Sequence, residues 1–589
     1  MEKNLLPRRI TSLFLSTALA LTLFAGCDGN STTSAHSSAD ASTVSSAAEV
    51  ASTQGAASSD ASSTASEVAA FPDAQTDSTI SAQDADKVSL PICDETTTIS
   101  YWFEMSPMVA GYLNTMNDNI TYQYLEELTN VHVDFRAVSD ETSQNFNLMV
   151  ASGDWADIMV WGANYYSGGS IKAVEDGVFM ELTDVIHDYM PNYASLIDDK
   201  DIYPQVIMND GNIGEIFPIN WGISVPGVGP IVRKDWLDDL GIDPASIETY
   251  DDYHTMLTRF KNEKGASQAL YLGPYGVPSG NYLAAGYGIA AYCDPASDTG
   301  PFYQEDGTVK FGLIQPEFKD YLSMIHTWYE EGLISSDYIS HSDVQISAGD
   351  VTDGSTGLWY HMSQIMSEHL SQASDPNFDS CAIQDAVKNP GDKTQLGNYS
   401  DSRVERNSLS ISGSCENIEV VAKWIDFAFS DQGSMIYSYG IEGETYTLDA
   451  DGTPHFTALI TDNPDGLGMI TACNLYAIQT GVGYLDQTRF QSGYSEAALE
   501  AGDIWMKALD VDHLKIIPSA AKMSTEDSQT YAAHYANIAT YAAENIAKFI
   551  TGARDLSEFD AFTADIEAMN IEECIACWQH AMDTYLSQE

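Results

Sequence analysis

Residues 150–183 read VASGDWADIMVWGANYYSGGSIKAVEDGVFMELT, and Trp161, Asn164 and Tyr165 in that stretch set an aromatic face beside an amide and a phenol hydroxyl. Groups of this kind hold a molecule without transforming it. A ring covers the C–H face of a neutral, hydroxyl-rich molecule such as a sugar, while amides and hydroxyls sort its polar edge. Motifs for other chemistry are missing: the chain has no G-x-S-x-G, no H-E-x-x-H and no P-loop. With 86 acidic residues, carboxylate pairs can be drawn almost anywhere, so counting them singles out no glycosidase-like pair.

The elements that must position these groups follow from periodicity. Residues 158–160 form a short apolar strand after the small-residue turn Ser152-Gly153, and a helical pattern follows the aromatic loop. Upstream, residues 98–103 (TISYWF) read as a first strand ending at Glu104. Residues 119–128 form a helix with Ile120, Tyr124, Leu125 and Leu128 on one face, 131–135 a second strand, and 145–151 a short helix. This alternation predicts α/β architecture with a mostly parallel sheet. Ligands of such sheets bind beyond the carboxyl ends of the strands, where Trp161, Asn164 and Tyr165 would emerge.

The N-terminus reads as an export signal: Lys3, Arg8 and Arg9, then an apolar run over 10–24, then Ala25 and Gly26 before Cys27. Beyond Cys27, Ser, Ala, Thr and Asp dominate to about residue 86. Such a composition buries too little apolar surface to offset the entropy of ordering, so it predicts a flexible tether. No later stretch is apolar for long enough to span a bilayer. The formal net charge of −61 repels phosphate backbones and excludes nucleic acid as a partner. Of the eight Cys, the pair Cys574 and Cys577 shares a helical face and reads as buried packing more than as a redox or zinc site.

Several motifs, taken in order, resemble the extracellular solute-binding proteins of ABC importers, particularly those for oligosaccharides. Residues 145–162 (NFNLMVASGDWADIMVWG) are similar to that family's helix, ASGD turn and binding strand. Residues 210–218 (DGNIGEIFP) resemble its approach to the hinge, and 233–241 (RKDWLDDLG) with the helix after residue 250 its helix pair. Residues 354–359 (GSTGLW) resemble the strand and aromatic of its second lobe, and 423–448, with GIEGETY, a late turn of a lipoprotein subgroup. The sequence Phe24-Ala25-Gly26-Cys27 resembles a lipobox.

The resemblance implies an α/β, two-lobed periplasmic-binding-protein-like (type II) fold with hinge crossovers. Expected boundaries are 1–26 signal peptide, 27–92 tether, 93–221 with 381–414 lobe one, and 222–380 with 415–589 lobe two. It implies cleavage before Cys27, lipidation of that residue and attachment to the outer face of the cell membrane. In the cleft it favours Trp161, Asn164, Tyr165 and Glu104 from lobe one, Asn220 and Trp221 at the hinge, Arg406 and Asn407 before a returning strand, and Tyr275 and Trp359 from lobe two. Some relatives carry a calcium loop where this chain has residues 262–268 (NEKGASQ), which lack carboxylates at alternating positions, so neither metal nor cofactor is expected. The expected role is a monomeric receptor, not an enzyme, passing a carbohydrate to the transmembrane subunits of an ABC permease. The alternatives are the same fold binding a peptide, amino acid or metal chelate, and a secreted glycan-acting enzyme.

Overall fold

The computed structural model describes residues 89–588 apart from 140, 209–210, 222–226, 279–281, 296–299, 343–345, 347, 398–401, 406, 479–481, 487–488, 490 and 492–493. The expected signal peptide, nearly all of the tether, Cys27 and Arg406 lie outside the described residues. Among the described residues, no helix is long and apolar enough to cross a membrane.

The first lobe is built on the strand Thr97–Glu104. Its middle five residues are buried, so it reads as a nearly continuous apolar run, as a strand covered on both faces must. It pairs in parallel with Val131–Val138 on one side and Ile158–Val160 on the other, and Leu409–Ile411 closes that edge antiparallel. Because side chains alternate, Ile99, Tyr101 and Phe103 enter one core while Trp102 enters another with Phe146, Met159 and Phe179. The helix Ile120–Thr129 starts at Asn119, whose side-chain oxygen accepts from the backbone N–H groups of Thr121 and Tyr122.

The second lobe holds a sheet in the order Ser380–Ala382, Val228–Arg233, Thr356–Met362, Gln268–Leu270. One face is covered by Tyr250–Arg259, capped by a Thr249–Asp252 box, with Pro316–Glu330 and the C-terminal helices Thr525–Ile550, Phe559–Ala568 and Ile571–Gln588. Cys574 and Cys577 are buried in this core, and burial pushes their thiols up to about 12 and about 11. The other face carries Glu496–Lys507, whose Trp505 lies directly on the strand backbone. A Cβ at Gly229 would come within 2.4 Å of that indole, so only glycine admits it.

Three crossings run side by side between the lobes. Strand Ile219–Asn220 pairs in parallel with Tyr484–Leu485, and Ile219 bridges Val404 on its other side. The Asn220 N–H donates to the Arg403 carbonyl (2.8 Å) and the Trp221 N–H to the Leu485 carbonyl (3.0 Å). The lobes divide the chain differently from expectation. Ser380–Ala382 joins the second sheet through Val228–Arg233, and the chain re-enters lobe one only near Val404. Residues 415–478 and 482–485, expected in lobe two, pack in lobe one: Trp424, Ile425 and Phe427 share a core with Ile99 and Tyr101. The Asp426 carboxylate there accepts from the N–H groups of Asn192 and Tyr193. Residues 494–588 remain with lobe two. An amphipathic helix declares that it has an apolar face but not which sheet it covers.

Candidate functional site

Five expected site residues come together at the carboxyl ends of the parallel strands of lobe one. Trp161 ends the strand Ile158–Val160 in the left-handed region (φ 57°), unusual for a bulky residue, and turns the chain sharply into the helix Gly162–Tyr165. Its N–H donates to the Ser408 carbonyl (2.8 Å), which brings Asn407 beside it. The indole is 36% exposed and meets Tyr165 edge to face. Tyr165 packs its ring on Trp102 and Phe146 and donates its hydroxyl to Glu104 Oε2 at 3.2 Å. Burial, with the Glu104 charge adding to it, pushes that phenol up to about 12, so it stays a neutral donor. Asn164 and Asn407 are exposed.

At the hinge the two expected residues separate. The Asn220 amide is buried and donates to Glu405 Oε1 (2.7 Å). It lines a cavity of about 600 Å3 that also touches Phe217 of lobe one and Phe302 and Trp578 of lobe two. Trp221 points elsewhere and is 39% exposed. Its indole N–H donates to Ser434 Oγ at 3.0 Å and the Tyr484 carbonyl at 3.3 Å, which fixes the ring. The ring lines a hollow of about 780 Å3 with Tyr439, Asp451, His455, Asp486 and Arg489. Burial lowers the Arg489 guanidinium from its ordinary value, and the Tyr439 hydroxyl donates to Asp486 Oδ2 at 2.5 Å.

In lobe two one of the two expected residues is displaced from any ligand-facing position. Trp359 is 0% exposed: it lies opposite Ile231 in the middle of the sheet and packs in the core that holds Trp505. No stacking face is left, so this expectation is corrected. The outward end of that strand comes three residues later at Met362, which is 49% exposed. Next to it the Ser363 N–H donates to the Gly227 carbonyl (3.0 Å), and Gln364 accepts from the Tyr494 hydroxyl (2.8 Å). Counting to the strand's last residue, and not to its aromatic, would have found this edge. Tyr275 is half-buried against the second core and gives its hydroxyl to Asp294 Oδ1 at 3.1 Å.

A further cavity of about 660 Å3 lies between Ser170, Glu215 and Phe217 of lobe one and Lys522, Ser528 and Gln529 of lobe two. Glu215 accepts from Ser408 Oγ (2.5 Å), so this cavity adjoins the Trp161 cluster through Ser408. Burial raises the Glu215 carboxyl above its usual range. Sequence reasoning missed both ionisable residues. Glu215 stood inside the hinge-approach motif of residues 210–218, but nothing local marked Lys522. Among the described residues no cluster of His, Cys, Asp and Glu could hold a metal ion. The arrangement offers exposed indoles at a strand end and at a crossover, with amides, hydroxyls and carboxylates lining gaps between the lobes, which is machinery for holding a solute.

Comparison with known proteins agrees with this geometry. Residues 112–435 match the family model of the bacterial extracellular solute-binding proteins. The fructooligosaccharide ABC transporter substrate-binding protein FusA of Streptococcus pneumoniae serotype 4 (strain ATCC BAA-334 / TIGR4) is 24% identical over 379 residues, 61% of this chain and 65% of that protein. Lipoprotein LipO of Bacillus subtilis (strain 168) is 26% identical over 352 residues, 58% of this chain and 66% of that protein. The matches thus span just under two thirds of either relative. The crystal structure of S. pneumoniae FusA with kestose superposes with a TM-score of 0.66 at 20% identity, over 84% of this chain and all of that one, which shows a shared two-lobed α/β fold. Motifs, fold and family match coincide, and the chain belongs to the bacterial extracellular solute-binding proteins.

Proposed function

We propose that this protein is a lipid-anchored receptor that captures an oligosaccharide between its lobes and delivers it to the transmembrane subunits of an ABC importer. The observation that carries the reading is the pair of half-exposed indoles, Trp161 and Trp221, each fixed by a backbone or side-chain N–H bond beside amides and carboxylates. Preorganised rings of this kind stack on sugar C–H faces at little entropic cost. FusA, named for fructooligosaccharides, supports the ligand class, and LipO, named as a lipoprotein, supports the anchor at Cys27.

Capture works by population shift. Each lobe supplies part of the contacts, so a ligand that touches both binds the closed form better and moves the hinge equilibrium toward it. The three adjacent crossings give that motion a common axis. A glycan and peptide array probed with the purified chain tests the proposal: retention of oligosaccharides, unconverted, is expected. Retention of peptides alone, or release of new reducing ends from the bound glycan, would overturn it.

A further inference from the structure

Beside the second crossing, whose Ser402 donates to the Gln205 side chain, the lobes also meet at Lys522. This residue belongs to lobe two, since Ala521 is buried in that core and Met523 packs against it. Its ammonium reaches across to lobe one and donates to the carbonyls of Gln205 at 2.5 Å and Ile207 at 3.0 Å. These carbonyls lie at the end of the short helix Tyr203–Val206, whose Val206 is part of the lobe-one core. Carbonyls at a helix C-terminus lack a partner within the helix and carry the negative end of its dipole, so a cation there is favoured.

The surroundings contain few competing charges. Of the residues lining the 660 Å3 cavity beside it, Glu215 and Lys522 itself are the acidic and basic ones. The Glu215 charge favours the protonated lysine, while Glu215 is itself bonded to Ser408. On the lobe-one helix stands Tyr203, and at the start of Thr525–Ile550 stand Glu526 and Asp527. Asp527 is occupied by Ser524 and His580.

We propose that Lys522 is a positioning residue for ligand capture, pinning the lobes in the arrangement seen here and letting go when they part. Donor and acceptors sit in different lobes, so a rotation that draws residues 205–207 away from Lys522 breaks both bonds together. The inference rests on the reading that the ligand is held between the lobes. Burial brings the ammonium down to about 8, below the ordinary lysine value it regains when the lobes part, so by proton linkage the pin strengthens as pH rises through about 8, where the neutral amine still donates to both carbonyls.

Hydrogen exchange on the full chain, without any ligand, reads the pin directly. At pH 7, Lys522→Met should speed exchange about tenfold in segments 167–171 and 206–208, which line the cavity from lobe one, and leave the core strand Thr97–Glu104 unchanged. After correction for intrinsic exchange, the wild type should gain protection in those segments between pH 7 and pH 9, while Lys522→Met stays flat. Wild-type rates in Lys522→Met, equal acceleration in Thr97–Glu104, or the same pH step in both proteins would each overturn the proposal. Since no sugar enters the measurement, that failure would be distinct from a negative glycan array.

Discussion

The backbone N–H of Trp161 donates to the carbonyl of Ser408 at 2.8 Å, tying the end of the third strand to the start of a strand that arrives from the second crossing. One bond thereby gathers groups from distant parts of the chain. Trp161 and Tyr165 reach Glu104 on one side, and Ser408 reaches Glu215 and the interlobe cavity on the other. The left-handed turn at Trp161 holds the indole outward while Tyr165 anchors the loop to the core beneath.

Trp161→Ala should therefore weaken oligosaccharide binding by about 10- to 100-fold, roughly 1.4–2.8 kcal/mol, while Trp161→Phe keeps most of the affinity. The melting temperature should hardly move, because a half-exposed ring on a loop contributes little to the core. Titration calorimetry with the array hits checks the first point and differential scanning fluorimetry the second. Unchanged affinity in Trp161→Ala would remove this residue from the site.

Trp359→Ala should show the opposite pattern. Emptying a fully enclosed indole site in the second sheet should cost about 3–5 kcal/mol of stability, measured by urea unfolding, with ligand affinity of the folded fraction preserved. A large loss of affinity in a protein of normal stability would restore Trp359 to the cleft.

Asn119 should prove a structural clasp within lobe one. Its oxygen caps the helix Ile120–Thr129, and its amide donates to the carbonyls of Leu475 (3.1 Å) and Ala477 (2.7 Å) in the segment before the third crossing. Asn119→Ala loses the cap and leaves those carbonyls unpaired, for about 2–4 kcal/mol. Asn119→Ser keeps the cap alone and should fall between. Equal stability of Asn119→Ser and the wild type would show that the carbonyl bonds add nothing.

Asp385 should make stability depend on pH. It is buried near Tyr250, Tyr253 and Tyr360, and burial pushes its carboxyl up to about 7. The folded value lies above the unfolded one, so its stabilising contribution is complete below about pH 4 and is lost as pH rises through about 7. Asp385→Asn does not titrate, so relative to the wild type it should gain about 1–3 kcal/mol between pH 5 and pH 8. Urea midpoints at the two pH values measure the gap, and a gap independent of pH would contradict the assignment.

Local patterns in the sequence reached a definite depth. The apolar run ending at Val160, bounded by small residues before and aromatics after, places Trp161 at a strand end without reference to the rest of the fold, and the structure agrees. The motifs around residues 145–162 and 210–218 pointed to the first lobe and the approach to its hinge through their resemblance to the family, while strand period and turn chemistry, as properties of neighbours in the chain, reached only the local elements. Trp359 shows where this stops. An aromatic after a small-residue turn looks like a strand end, but hydrogen-bond register with Ile231 puts it in mid-sheet, and register is set between strands far apart in sequence.

Tertiary structure alone decided the remainder. Which sheet the helix Ile418–Phe427 covers, and that the Lys522 ammonium meets carbonyls of the helix Tyr203–Val206, depend on packing between segments with no local signal for one another. The sequence by itself determined the class of the fold, the signature of the first strand ends and the character of the groups presented there. The division of the chain between lobes and the contact that pins them were left to long-range burial, since an apolar face or a charged side chain specifies the need for a partner and not its identity.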